Sequence, residues 1–295
     1  MHLPGTHHVH RHPATPWAEL RVSARSADCY RMHTHAEYSI GIVDDGEAMF
    51  HHPSGPQKVQ RGSVVLIEPD VIHACNPQQR QVWSYRMLFV EANWLHDRIA
   101  AQQSRLEPVT ALHFASRTLN DTATSEWVDQ LCQPLGSDAA ATQQIQQLVQ
   151  WLAPLLLPGA PCDQPPYPLF LEPALQRLHG GLDMGVSVGE LAQNCGMSPS
   201  QFTRRFKGAM GVAPAQFLQN LRVNGARRLI AGGASLAEAA HAMGFADQAH
   251  MQRAFKLRHA MTPGSYAPHR AEPMPGRVIS PRPDRWVPEH GSRYG

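Results

Sequence analysis

Three imidazoles and a carboxylate, His33, His35, Glu37 and His73, have the residue types of a three-His, one-carboxylate metal site. With iron, manganese or zinc bound they would support oxygen or isomerase chemistry. The competing reading needs no metal. Alternate side chains on a strand share a face, so His33, His35 and Glu37, with Tyr38 and His73, line a ligand cavity or its mouth. Trp83, Tyr85 and Met87 also alternate and give one wall an aromatic surface, which either core packing or ligand stacking explains. A second chemistry lies near the C-terminal end. Ser200, Gln201, Thr203, Arg204 and Lys207 are echoed by Gln248, Ala249, Gln252, Arg253 and Lys256. Small polar, amide and cationic side chains on an exposed helix face suit base edges and phosphates in a major groove.

A repeat positions that second set. Ser187, Glu190, Ala192 and Gly196 lead into Phe202, Arg204 to Lys207, Pro214 and Phe217. Some 48 to 49 residues later Ser235, Glu238, Ala240 and Gly244 lead into Met251, Arg253 to Lys256, Pro263 and Tyr266. Each Ser stands three residues before a Glu, the capping-box spacing of a helix start. The spacing predicts short helices over Val188 to Cys195 and Leu236 to Met243, each ended by its glycine in a left-handed conformation. Ser198, with Pro199 at the first helical position, caps the next helix of the first unit, and Asp247 takes that role in the second. Phe202 and Phe206 fall four apart, as do Met251 and Phe255, and so face inward. Each unit therefore reads as a helix-turn-helix, the second with one extra residue in its turn.

This region resembles the AraC/XylS family, whose DNA-binding module is two helix-turn-helix units joined by a long helix. Phe217 to Ala231 would be that helix, and Gly244-Phe245, Phe255-Lys256 and Thr262-Pro263 before Tyr266 match the family. The resemblance covers about 168–270. It implies that Arg204 and Arg253 contact DNA. Two departures stand out: His250-Met251 where the family has an aromatic, and His259-Ala260 where it has a glycine after the helix.

The first set of residues sits among short β-type runs, Tyr38 to Val43, Ala48 to His52, Val64 to Ile67 and Val82 to Val90, separated by turn signals such as Asp44-Asp45-Gly46 and Arg61-Gly62. Runs at this spacing predict a small barrel or sandwich. The order His33 to Tyr38, Gly46, Gly62 to Pro69, His73 and Asn76 resembles the cupin barrel that serves many AraC-type regulators as an effector domain, although Glu37 follows His35 by only two residues. That likeness implies a barrel working without metal. From Ala139 to Leu157, apolar residues recur at three- and four-residue spacing opposite a Gln-rich face. Such a helix packs on the barrel or pairs with its copy in a second subunit, and the family favours the dimer.

Charge separates the two regions. Residues 168–270 carry 11 Lys/Arg against 5 Asp/Glu, whereas residues 1–167 carry 11 against 16. A basic domain beside an acidic one fits a phosphate-binding module joined to something else. No apolar run approaches the ~18 residues of a membrane span, and a start rich in His, Pro and Arg argues against a signal peptide. Five scattered cysteines, Cys29, Cys75, Cys132, Cys162 and Cys195, suggest reduced thiols in the cytoplasm.

The expected fold class is α+β, a cupin-like β-barrel followed by an all-α dual helix-turn-helix domain. In order, the chain reads as a flexible His-rich arm (1–16), an effector-binding barrel (17–92), a helical and dimerisation region (93–157), a Pro-rich linker (158–168), the DNA-binding domain (169–270) and a disordered tail (271–295). The expected function is a cytoplasmic, effector-controlled transcriptional regulator, an activator by family habit. It is not expected to be an enzyme or to hold a cofactor. Its expected partners are promoter double-stranded DNA, a small-molecule effector and a second copy of itself, with RNA polymerase a further candidate and no membrane. The alternative is a metal-binding cupin enzyme or metal sensor fused to a DNA-binding domain.

Overall fold

The structure is a computed structural model that describes residues 5–78, 81–102, 112–158, 168–179 and 186–268. The chain forms two compact units, Met1–Ala160 with Leu257–Met261, and Pro161–Lys256 with Thr262–Gly295. The expected disordered tail lies outside the described residues, as does all of the expected linker except its two ends.

The first unit is built on strands β1 (Thr6–His10), β2 (Ala18–Ser26), β3 (Glu37–Asp45), β4 (Glu47–His51), β5 (Gln57–Gln60), β6 (Val64–Ile67), β7 (Ala74–Pro77) and β8 (Trp83–Glu91). Helix α1 (Ala92–Gln102), strands β9 (Leu112–Phe114) and β10 (Thr118–Leu119), helices α2 (Thr122–Leu131) and α3 (Asp138–Leu152) and strand β11 (Leu156–Pro158) complete it. A six-stranded antiparallel sheet runs β1-β2-β8-β3-β6-β10, and β5-β4-β7 and β11-β9 form two smaller sheets. Strand alternation gives the large sheet two different faces. Tyr38, Ile40, Ile42, Leu88 and Val90 pack with Leu95, Ile99, Val128, Leu148 and Leu152 of the helices in one core. On the opposite face Val43, Val65, Ile67 and Trp83 meet Ala48, Phe50 and Val59 of the β5-β4-β7 sheet.

The result is two packed sheets rather than a closed barrel. Gly46 is where they part: it takes φ 76°, and a Cβ there would lie 2.6 Å from the Val82 carbonyl oxygen. This turn ends β3 and starts β4 in the other sheet. Arg86 of β8 clamps the helices onto the large sheet. Its guanidinium holds Asp44 at 2.6 Å, donates to the carbonyl oxygens of Asp129 and Cys132 at 3.1 and 3.2 Å, and pairs with the Asp129 carboxylate.

Two expectations change here. Thr6–His10, expected within a flexible arm, is strand β1 and pairs with β2 from Thr6↔Ala24 to His10↔Leu20. Backbone pairing does not require an apolar pattern, and His7 is further fixed to Asp28 at 3.1 Å. The Gln-rich helix is α3, capped by Ser137. Its Ala141, Leu148 and Leu152 are 0–1% exposed, and Leu148 and Leu152 join the core shared by the sheet and the other helices of this unit. Strands and helices on either side of residue 92 thus share one core, and the change at that point is one of secondary structure only.

The second unit is helical: a 3-10 turn (Leu169–Leu171), then α4 (Glu172–His179), α5 (Val188–Asn194), α6 (Pro199–Met210), α7 (Pro214–Ala231), α8 (Leu236–Ala242), α9 (Gln248–His259, of which this unit holds the part up to Lys256) and α10 (Pro263–Tyr266). Its local grammar follows from the side chains that cap it. Ser187 accepts from Glu190 N at 3.1 Å, but the Glu190 carboxylate turns to Arg177 at 2.6 Å instead of closing a capping box. Ser235 and Glu238 form the complete box. Gly196 and Gly244 take φ 63° and 68°, and Met197 N and Phe245 N return to the carbonyl oxygens of Ala192 and Ala240. Ser198 caps α6 with Pro199 in the first turn, and Asp247 accepts from His250 N at 2.6 Å to cap α9. The linker helix α7 starts three residues before the expected Phe217, because Ala213 sits at its N-cap and Pro214 at its first position. Phe202, Phe206, Met251 and Phe255 are all fully buried.

Candidate DNA-reading face and effector site

Phe202 and Phe206 anchor one side of α6, and Phe206 meets Phe217 of α7 at 5.5 Å between ring centroids. That anchoring turns Ser200, Thr203, Arg204 and Lys207 outward, and all four are exposed. Gln201 is exposed too, but its Oε1 accepts from Ser198 N at 3.3 Å, so its amide oxygen is spent on the cap. Arg205 lies over the Phe170 ring at 4.1 Å and packs on its own domain. On α9, Gln248, Ala249, Arg253 and Lys256 are exposed and Gln252 is half-buried. Neither α6 nor α9 has an acidic residue in its first turn, but the Asp247 carboxylate caps α9, so only the positive end of α6 is left suited to phosphate. Ala260, where the family has a glycine, takes φ 55°.

In the first unit, His33, His35 and His73 come together. His33 and His73 form an antiparallel bridge with backbone bonds of 2.9 and 3.0 Å. Their rings lie 4.5 Å apart, and His35 is 4.8 Å from His73 and 6.3 Å from His33. Burial pushes His73 down to about 4 and, with His73 as neighbour, holds His33 well below the usual imidazole range. Both are neutral at pH 7. Trp83 stacks on Tyr85 at 4.2 Å, and the Tyr85 and Tyr30 hydroxyls bond each other. Burial pushes Tyr85 up to about 12 and Tyr30 well above its ordinary value, so both keep their protons.

Two residues of the expected effector set lie apart from this cluster. Tyr38 belongs to the helix-side core, where its hydroxyl donates to Leu112 O at 2.9 Å and stands 2.9 Å from His96 Nε2. Strand alternation puts it on the opposite face from Ser39. Glu37 meets His35 through its backbone carbonyl, 2.8 Å from Nδ1. Among the described residues no group of three or more His, Cys, Asp or Glu is placed to hold a metal ion. The sequence reading missed Tyr30, Ser39, Phe89 and Arg21. Arg21 holds Glu19 at 2.7 Å and lies over the Phe89 ring at 4.3 Å. The alternation of Glu19, Arg21 and Ser23 along β2 was the available signal for Arg21.

Comparison with known proteins matches both units. Residues 16–153 match the AraC-like ligand-binding domain, and residues 191–268 match a helix-turn-helix domain. The chain thus resembles AraC-type regulators in both parts, with an AraC-like ligand-binding domain followed by a helix-turn-helix domain. A putative AraC-like transcription regulator of Streptomyces lividans is 35% identical over 101 residues, 34% of this chain and 33% of that protein. The match thus spans about a third of that relative's length. An uncharacterized HTH-type transcriptional regulator of Bacillus subtilis, YbfI, is 21% identical over 226 residues, 74% of this chain and 80% of that protein. Among solved structures, an apo ToxT variant from Vibrio cholerae superposes with TM-score 0.54 at 11% identity, covering 85% of this chain and 96% of that one. That likeness shows the shared fold. No helix among the described residues is long and apolar enough to cross a membrane.

Proposed function

We propose that the protein is a transcriptional regulator that binds promoter DNA through α6 and α9, and whose DNA affinity is set by a small molecule held in the N-terminal unit. The observation that carries this reading is the pair of helices anchored by buried Phe202/Phe206 and Met251/Phe255 with Arg204 and Arg253 left exposed. Ser200, Thr203, Arg204 and Lys207, and Gln248, Ala249, Gln252, Arg253 and Lys256, are the assigned DNA contacts, with Gln201 at the helix start. The basic charge of 168–270 supplies attraction to phosphate. The His33, His35, His73, Trp83 and Tyr85 wall is the assigned effector contact. One ToxT structure contains an unsaturated fatty acid, which supports small-molecule control in this fold. The reading assigns no enzymatic reaction and no cofactor, places the protein in the cytoplasm with its promoter, and takes activation as the outcome. It includes a homodimer and contact with RNA polymerase.

Titrating the full chain onto a labelled duplex from the region upstream of its own gene tests this. At about 50 to 200 mM salt, log K should fall linearly with log salt, with a slope of roughly −0.9 per phosphate neutralised. A scrambled duplex should bind at least about 10³-fold more weakly. Equal affinity for both duplexes overturns the reading.

A further inference from the structure

An imidazole that donates through one nitrogen offers a lone pair at the other. Nδ1 lies 2.8 Å from Arg31 O in His33, 2.8 Å from Glu37 O in His35 and 2.9 Å from Val71 O in His73. A carbonyl oxygen only accepts, so each Nδ1 carries the proton and each neutral ring is an acceptor at Nε2. His35 Nε2 receives the Ser39 hydroxyl at 3.2 Å. Nε2 of His33 and of His73 meets no donor among the described residues, although His73 is only 4% exposed. The His33 and His73 rings therefore present acceptors that a ligand can satisfy.

The neighbouring wall is aromatic and adaptable. Along the inner face of β8 run Trp83, Tyr85, Met87 and Phe89, with His35 edge-on to Phe89 at 5.2 Å. Met87 lies across Gly41, where a Cβ would come within 2.6 Å of its methyl carbon. A thioether chain fills such space loosely and yields to a ligand. Trp83 is 2% exposed and its Nε1 has no acceptor.

We propose that the imidazole cluster selects its effector through a hydroxyl hydrogen: a neutral hydroxylated aromatic compound donates its O–H to Nε2 of His73, with Nε2 of His33 open to a second hydroxyl, and lays its ring along β8. An ionised carboxylate only accepts, so it would set lone pair against lone pair at this site. This assignment rests on the reading of the N-terminal unit as the effector domain.

The test is a thermal-shift titration of the full chain with p-cresol, its methyl ether and p-toluate, in the wild type and in His73→Asn. The asparagine amide can still donate to Val71 O but brings no acceptor at the Nε2 position. p-Cresol should raise the melting temperature by linkage. The ether and p-toluate should not, and His73→Asn should weaken the cresol response at least tenfold. Equal responses to cresol and ether, a response to p-toluate alone or to Zn²⁺ alone, or no response to cresol overturns the assignment. The wild-type arms decide it even where His73→Asn fails to fold. Sequence-specific DNA binding is read on the same preparation. If it is intact while cresol fails, only the effector class is lost; if the wild type lacks it, the regulator reading itself fails.

Discussion

Replacing Arg204 with alanine is expected to weaken operator binding by roughly 1–3 kcal/mol and to relax the preference at one base position. The expectation follows from how α6 is held. Phe202 and Phe206 flank Arg204 in sequence and are fully buried, which fixes the helix rotation and sends the guanidinium outward. A rigid fork presented from a rigid helix can form two parallel bonds to a guanine edge. Arg205→Ala is the matched control. Its guanidinium lies over Phe170, so the substitution removes a packing contact within the domain and should leave base preference unchanged. Binding titrations across single-base variants of the site check both. An unchanged affinity for Arg204→Ala, or a specificity change for Arg205→Ala, contradicts the assigned helix face.

Phe206→Ala should destabilise the DNA-binding unit by about 3–5 kcal/mol, the range for truncating a fully buried aromatic side chain. Phe206 has no exposed surface and packs against Phe202 at 5.4 Å and Phe217 at 5.5 Å, which ties α6 to α7. Because the chain has two units with separate cores, its unfolding need not be two-state. Urea melts followed residue by residue should therefore show the loss in α5, α6 and α7, with the midpoint of the β-sheet unit unchanged. A shift of under about 1 kcal/mol would mean that the first helix-turn-helix does not depend on this core.

The sequence disclosed the DNA-binding unit more fully than the sensor because its signals are local. Ser198 with Pro199, Gly196, Gly244, Asp247 and Ser235 with Glu238 each act within a few residues, and each does in the structure what its spacing implies. Glu190 is the exception, drawn from the expected cap to Arg177, thirteen residues away. Sheet structure depends on partners far along the chain. Nothing near Thr6–His10 announces pairing with Ala18–Ser26, and β3 bonds to β6 and β8. Even so, period-two alternation alone separates Tyr38 from Ser39. The hydroxyl of Tyr38 faces Leu112 and His96, whereas that of Ser39 meets His35. The clustering of His33 with His73 was not legible, because it needs an isolated bridge across forty residues.

Selection of bound sequences from a random duplex pool by the full chain tests the central claim most directly. Two reading helices carried by one rigid domain predict enrichment of a site with two short conserved blocks, their centres about one helical turn, roughly 10–10.5 base pairs, apart. Arg204→Ala should erase preference in one block and Arg253→Ala in the other. Recovery of no enriched sequence, or of a single block unaffected by either substitution, would contradict the account.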